Sequence, residues 1–178
     1  MSTTNNFVFK VLSIVAWVIF VGLCIEAGGL VVNFIFSLYQ PAMVQHLYQK
    51  LDLSAMYTRS GWAFFSMYTF ILTISILKAY LFYIVIILIH KLDLSQPFNR
   101  FVSEQITQIS YFTLSIGLLS YIARQTAKNL LHRGYEIHQL DPFWVDSQAF
   151  ILMAAVVYVI ATIFKKGLEI QTENDLTV

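Results

Sequence analysis

Residues 61–89 read GWAFFSMYTFILTISILKAYLFYIVIILI, twenty-nine residues in which Lys78 is the one charge. As a helix this stretch runs roughly 44 Å at ~1.5 Å per residue, more than the ~30 Å hydrocarbon slab requires. It predicts a membrane-spanning helix that tilts or lays its first turns in the interface.

The whole chain agrees with that reading. Of 178 residues 58% are hydrophobic and only 12% charged, and the mean hydropathy of +0.68 is too high for a soluble domain of this size. A multi-pass membrane protein in contact with the lipid bilayer is expected. Eleven basic and ten acidic residues, spread over loops and ends, leave a net charge of +1, so there is no basic field for direct nucleic-acid binding. The single cysteine, Cys24, excludes an intrachain disulfide and is expected to be a small buried hydrophobe.

Working outward, an apolar run from Val11 to Ile25 resumes after Glu26 and reaches Leu38 before Gln40-Pro41 ends it. Lys10 is the only side-chain charge ahead of the run and no A-x-A site follows, so an uncleaved first helix is expected rather than a signal peptide. A third span begins at about Phe101, beyond the polar link in which Pro97 interrupts any continuous helix. A fourth runs from Ser147 to Phe164, with Ala154, Tyr158 and Ala161 as a contact face, and Lys165-Lys166-Gly167 stops it. Phe143 and Trp144, just before it, are expected to be interfacial anchors.

The expected fold is all-α, a four-helix transmembrane bundle with antiparallel up-down topology, forming one membrane domain over 1–178. Its spans lie at about 9–38, 61–90, 101–124 and 147–165, with polar loops at 41–60 and 125–146, a short link at 91–100 and a C-terminal tail at 167–178. Basic residues divide five against five between the two sides. Lys10, Lys91, Lys165 and Lys166 abut span ends, whereas Lys50 and Arg133 lie well out in their loops, which favours cytoplasmic termini.

Of the ionisable groups within spans, Glu26 and Lys78, well away from the span ends, most need explaining. Such groups are costly in lipid and face the bundle interior. On antiparallel helices the two can reach each other, because a lysine stem extends ~6 Å, and a structural ion pair, or each charge met separately by hydroxyls and water, is the expectation. A protonatable, ion-coupled Glu26 is the alternative. Gly22, Glu26, Gly29, Asn33 and Ser37 share one face of the first helix. On the third, Ser103, Thr107, Ser110, Thr113, Gly117, Ser120 and Arg124 fall within an arc of roughly 140° at ~100° per residue. Small and hydroxylated faces of this kind serve as packing seams, or as polar paths across a bundle.

No residue set arranges a nucleophile with a base. His46, His132 and His138 lack helical metal-ligand spacing, and acidic neighbours do not complete a set. No enzymatic activity, cofactor or metal is expected.

The link Leu92-Asp-Leu-Ser-Gln-Pro-Phe-Asn and the closing Ile163-Phe-Lys-Lys-Gly-Leu-Glu-Ile-Gln-Thr-Glu-Asn-Asp-Leu-Thr-Val resemble the bacterial membrane proteins grouped as domain of unknown function 2975. The resemblance implies a small inner-membrane protein of unassigned activity, often encoded beside a small helix-turn-helix transcription regulator. That neighbour suggests a cytoplasmic partner. Docking would fall to Pro97 and Phe98 of the link and to Gly167, Leu168, Glu169, Asn174, Asp175, Leu176 and Thr177 of the tail, which mixes acidic with apolar residues. The competing expectation is a small transporter or channel subunit that uses Glu26, Lys78 and the polar face of the third span. Four spans leave little room for a pore in one subunit, so this alternative requires a homo-oligomer.

Overall fold

The computed structural model describes residues 3–39, 53–92, 98–144 and 146–175. Among these the chain is all-α. Its helices are α1 (Thr3–Tyr39), α2 (Ser54–Arg59), α3 (Gly61–Lys91), α4 (Arg100–His132) and α5 (Ser147–Asp175), with a 3-10 helix at His138–Phe143 before α5. Four helices are long and apolar enough to cross a membrane: α1, α3, α4 and α5. The quoted stretch is α3, the most buried of the four, and it packs against α1 on one side and α4 on the other. In turn α4 makes the most extensive contact of the fold, with α5.

Contacts give the direction of each pair. Trp17, Phe20, Glu26 and Leu30 of α1 meet His90, Tyr83, Ser75 and Tyr68 of α3, rising numbers against falling ones, so the two helices are antiparallel. Lys91 lies over the Phe101 ring and Tyr80 against Phe112, which sets α3 antiparallel to α4. Phe98 against Phe164 and Gly117 against Ile151 do the same for the link and α4 with α5.

Local chemistry sets the helix ends. Ser60 accepts from the Ala63 amide to start α3, and Asn99 Oδ1 accepts from the Val102 amide at 2.9 Å to start α4. The far end of α4 closes through Gly134, whose φ of +80° only glycine adopts without strain. The Gly134 amide bonds Leu131 O at 2.8 Å and the Tyr135 amide bonds Leu130 O at 3.1 Å, the paired closure of a Schellman motif. Arg59 at the end of α2 then clasps this terminus. Its Nη1 donates to Gly134 O at 2.6 Å and its Nη2 to Arg133 O at 2.7 Å, while the guanidinium lies 4.3 Å from the Tyr135 ring centroid.

That clasp covers the core. Phe64, Met67, Tyr68, Ile71 and Ile74 of α3 are buried together with Leu30 of α1, Ile116 and Ala123 of α4, and Leu140 and Trp144 of the connection. The core thus lies toward the end carrying α2 and the 3-10 helix, here the cap end. The opposite end, at the 92–99 link, is the link end. Tyr68, fully buried, donates its hydroxyl to Leu30 O at 3.0 Å and so satisfies its polar atom inside the helix pair.

Several sequence expectations need correction. Phe143 and Trp144 are not interfacial anchors: the 3-10 turn around Pro142 folds both inward, leaving Trp144 only 2% exposed, whereas Trp62 at the start of α3 is 89% exposed and suits that role. The helix of span three does not end at Arg124. It continues to His132 because Ala127 and Leu130 pack against the capped core. Nor does Lys165-Lys166-Gly167 end the helix of the fourth span, since α5 stays helical through Asp175. Cys24 is exposed on the outer surface of α1, where lipid rather than protein would meet it. The expected loop over 41–60 is described from residue 53 onward, so Pro41, His46, Lys50 and Asp52 lie outside the described residues.

Candidate functional site

The charges within the apolar helices do not meet. Glu26 Oε1 accepts from the Ser75 hydroxyl at 3.4 Å, while the Lys78 ammonium lies 5.8 Å from the Phe150 ring centroid on α5. Ion pairs within 4.0 Å form elsewhere, in Arg100–Glu104 and Lys166–Glu169. Geometry explains the outcome. Ser75 stands level with Glu26, and a residue three positions further along a helix is ~4.5 Å away and turned by ~60°, so Lys78 extends toward α5 instead of α1. Ser75 and Phe150 were not apparent from sequence, because neither carries a charge that would mark it as a partner.

Most of the polar face on α4 is internal. Ser103, Ser110, Thr113, Gly117 and Ser120 are buried and Thr107 is half-buried, but Arg124 is exposed. The hydroxyls are directed at carbonyls: Thr107 to Ser103 O and Thr113 to Ile109 O along the helix, and Ser110 across to Ala154 O of α5 at 3.1 Å. A Cβ on Gly117 would fall 2.7 Å from Ile151 Cγ1 and 3.0 Å from the Ile151 amide nitrogen. Here α4 and α5 touch backbone to backbone, which a small-residue seam permits.

At the link end the structure joins residues far apart in sequence. The Phe98 ring packs 5.2 Å from Phe164, and a Cβ on Gly167 would come within 2.9 Å of it, so link and tail meet in one contact. Leu168 and Glu169 follow, half-buried, and Ile170 is 58% exposed. Asn174 and Asp175 belong to α5 by backbone, while Pro97, Leu176 and Thr177 lie outside the described residues.

Beside this contact, a recess of about 520 Å³ opens between the start of α4 and the polar extension of α5. Arg100 and Glu104 line one wall, Lys165 and Glu169 the other, with Ser103 and Thr107 at the base. Arg100 Nε donates to Glu104 at 2.8 Å and Lys166 Nζ to Glu169 at 2.6 Å, so each wall carries its own helical ion pair. Sequence reasoning took Arg100 and Lys165 only as charges flanking spans and did not single out Glu104. Their spacing, i to i+4 from Arg100 to Glu104 and from Lys165 to Glu169, was the available signal. At the cap end a smaller cavity of about 320 Å³ lies between Met56 and the exposed Glu136 and His138. Among the described residues, no three His, Cys, Asp or Glu side chains are grouped as metal ligands.

Searches of curated proteins and of solved structures return no match. A family model described as "Protein of unknown function (DUF2975)" matches residues 49–178, which include α2 through α5, the link and the tail. With four helices able to span a membrane and most of its length matched, this chain belongs to the DUF2975 family.

Proposed function

We propose that this multi-pass membrane protein is a non-enzymatic partner or sensor for a soluble DNA-binding protein, and that the link end is its docking face. The observation that carries this reading is the extension of α5. Eleven residues from Lys165 to Asp175 carry the helix ~16 Å beyond the apolar segment. A projecting helix with Ile170 exposed between Glu169 and Glu173 offers an apolar contact flanked by negative charge. Transcription regulators carry basic surfaces for phosphate, which an acidic helix complements. The helix-turn-helix regulator suggested by the resemblance fits that chemistry, with the termini and link facing the cytoplasm of a bacterial inner membrane.

The test is co-purification. A small helix-turn-helix regulator encoded beside the gene is co-expressed with the full chain or with a version ending at Lys166. Retention by the full chain alone supports the proposal, and equal recovery removes the tail from it. The rival, an oligomeric transporter or channel subunit, draws on Glu26 and Lys78, which stand unpaired with each other in the apolar helices. It requires flux in proteoliposomes that Glu26→Gln abolishes.

A further inference from the structure

The recess at the link end continues along the helices. A second cavity of about 410 Å³ lies between α4 and α5, lined by Tyr111, Leu114, Ala155 and Tyr158 among others. Arg100, Glu104 and Thr107 of the first cavity and Ser110, Tyr111 and Leu114 of the second fall within one arc of roughly 120° on α4 at ~100° per residue. On α5, Lys165 and Glu169 share an arc of roughly 100° with Ala154, Ala155 and Tyr158. The two cavities are therefore stations on one groove. They are separated by about seven residues of α4, or roughly 11 Å, which fits within one ~15 Å leaflet of the hydrocarbon core.

The groove is polar at one end and apolar at the other. Two cations and two carboxylates line its mouth, and Lys165 has no ion-pair partner within 4.0 Å among the described residues. Deeper in, Ala154 and Ala155 lower the α5 wall while the Tyr111 and Tyr158 rings, 6.4 Å apart, pack on each other beside it. The depth is fixed by backbone contact, because Gly117 holds α4 against Ile151 and the Ser110 hydroxyl bonds Ala154 O.

We infer that this groove is a binding site for a phospholipid whose headgroup carries both a phosphodiester and a primary ammonium, as in phosphatidylethanolamine. Arg100 and Lys165 receive the phosphate, Glu104 and Glu169 accept from the ammonium, and one acyl chain lies over the exposed Ala155 against the paired tyrosine rings. Charge complementarity selects the headgroup. An anionic lipid without the amine places its charge against two carboxylates and gains nothing from them, and a quaternary ammonium has no N–H to donate. The site stands independently of the docking proposal.

The experiment is native mass spectrometry of the full chain in mild detergent. The protein is titrated with equal amounts of phosphatidylethanolamine, phosphatidylglycerol and phosphatidylcholine, and thermal melts confirm that each variant is folded. The ethanolamine lipid is expected to be retained about tenfold above the other two, a difference of ~1.4 kcal/mol. Ala155→Trp, which fills the apolar station from an exposed position, and Lys165→Gln, which removes the unpaired cation, should each abolish that preference without lowering the melting temperature. Equal retention of all three lipids, or a preference for phosphatidylglycerol, overturns the headgroup assignment. A preference that survives both substitutions places the lipid elsewhere and overturns the site.

Discussion

Replacing Gly117 by alanine tests whether the α4–α5 contact is the close approach described. The added Cβ would lie 2.7 Å from Ile151 Cγ1, 3.0 Å from the Ile151 nitrogen and 3.3 Å from the Phe150 carbonyl carbon. The first of these can rotate away. The other two are backbone atoms of α5, so the helices must separate by several tenths of an ångström to restore the ~3.5–4.0 Å of ordinary contact. Overpacking of this kind costs ~1–3 kcal/mol, against which alanine gains about 1 kcal/mol of helix propensity over glycine. Gly22→Ala isolates the packing contribution, because nothing lies within 4 Å of a Cβ there and only the propensity gain applies. The two variants should therefore differ by ~1–3 kcal/mol, or about 2–12 °C in melting temperature for a chain of this length. Thermal denaturation in one mild detergent, followed by far-ultraviolet circular dichroism, measures the gap. If Gly117→Ala melts with or above Gly22→Ala, the helices are not in backbone contact and the depth assigned to the groove is wrong.

Three further outcomes follow from the same geometry. Arg59→Lys keeps the charge but cannot fork between Gly134 O and Arg133 O; it should cost ~1 kcal/mol and speed amide exchange at residues 130–144, and unchanged exchange would show that the clasp contributes nothing. Tyr68→Phe removes one buried hydroxyl without opening a cavity and should cost ~0.5–1.5 kcal/mol in thermal melts, whereas Tyr68→Ala should cost ~3–5 kcal/mol; an unchanged melting temperature for Tyr68→Phe would contradict the Leu30 hydrogen bond as a separate contribution. A double-mutant cycle on Glu26→Gln and Lys78→Met should give a coupling below ~0.5 kcal/mol, since the side chains have different partners, and a coupling above ~1 kcal/mol would refute the separation.

The four long helices were legible in the sequence because each is an apolar run long enough to cross lipid, and lipid removes the alternatives to helix. The span at Gly61–Lys91 was legible as well, from its length and near-uniform apolarity. Helix ends were harder to place. Charge and polarity mark where a chain leaves lipid, not where a helix stops, so the 125–132 and 167–175 segments looked like loop and tail although both continue their helices. The aromatics before α5 misled for a related reason. A Phe-Trp pair beside a span has the composition of an anchor whether it faces lipid or a capped core, and only the clasp of Arg59 on Gly134, across seventy-five residues, decides between them.

The same distinction bears on where recognition can occur. A polar path through a bundle needs hydroxyls turned toward water or an ion, with lone pairs and protons to spare. Thr107, Ser110 and Thr113 instead donate to backbone carbonyls, and Gly117 leaves no space beside Ile151. Glu26 keeps a hydroxyl for company and Lys78 an aromatic face, and among the described residues neither stands within 4.0 Å of an opposite charge. What remains available is at the link end, where Arg100, Glu104, Lys165 and Glu169 stand exposed or half-buried around a recess and α5 projects beyond the apolar segment. Those groups can change partners at little cost, because exposed ion pairs are weak and screened by water and salt. With Thr107, Ser110 and Thr113 already donating to backbone carbonyls, the groups best placed to meet a ligand are therefore those at this end, where the recess and the α5 extension share Glu169.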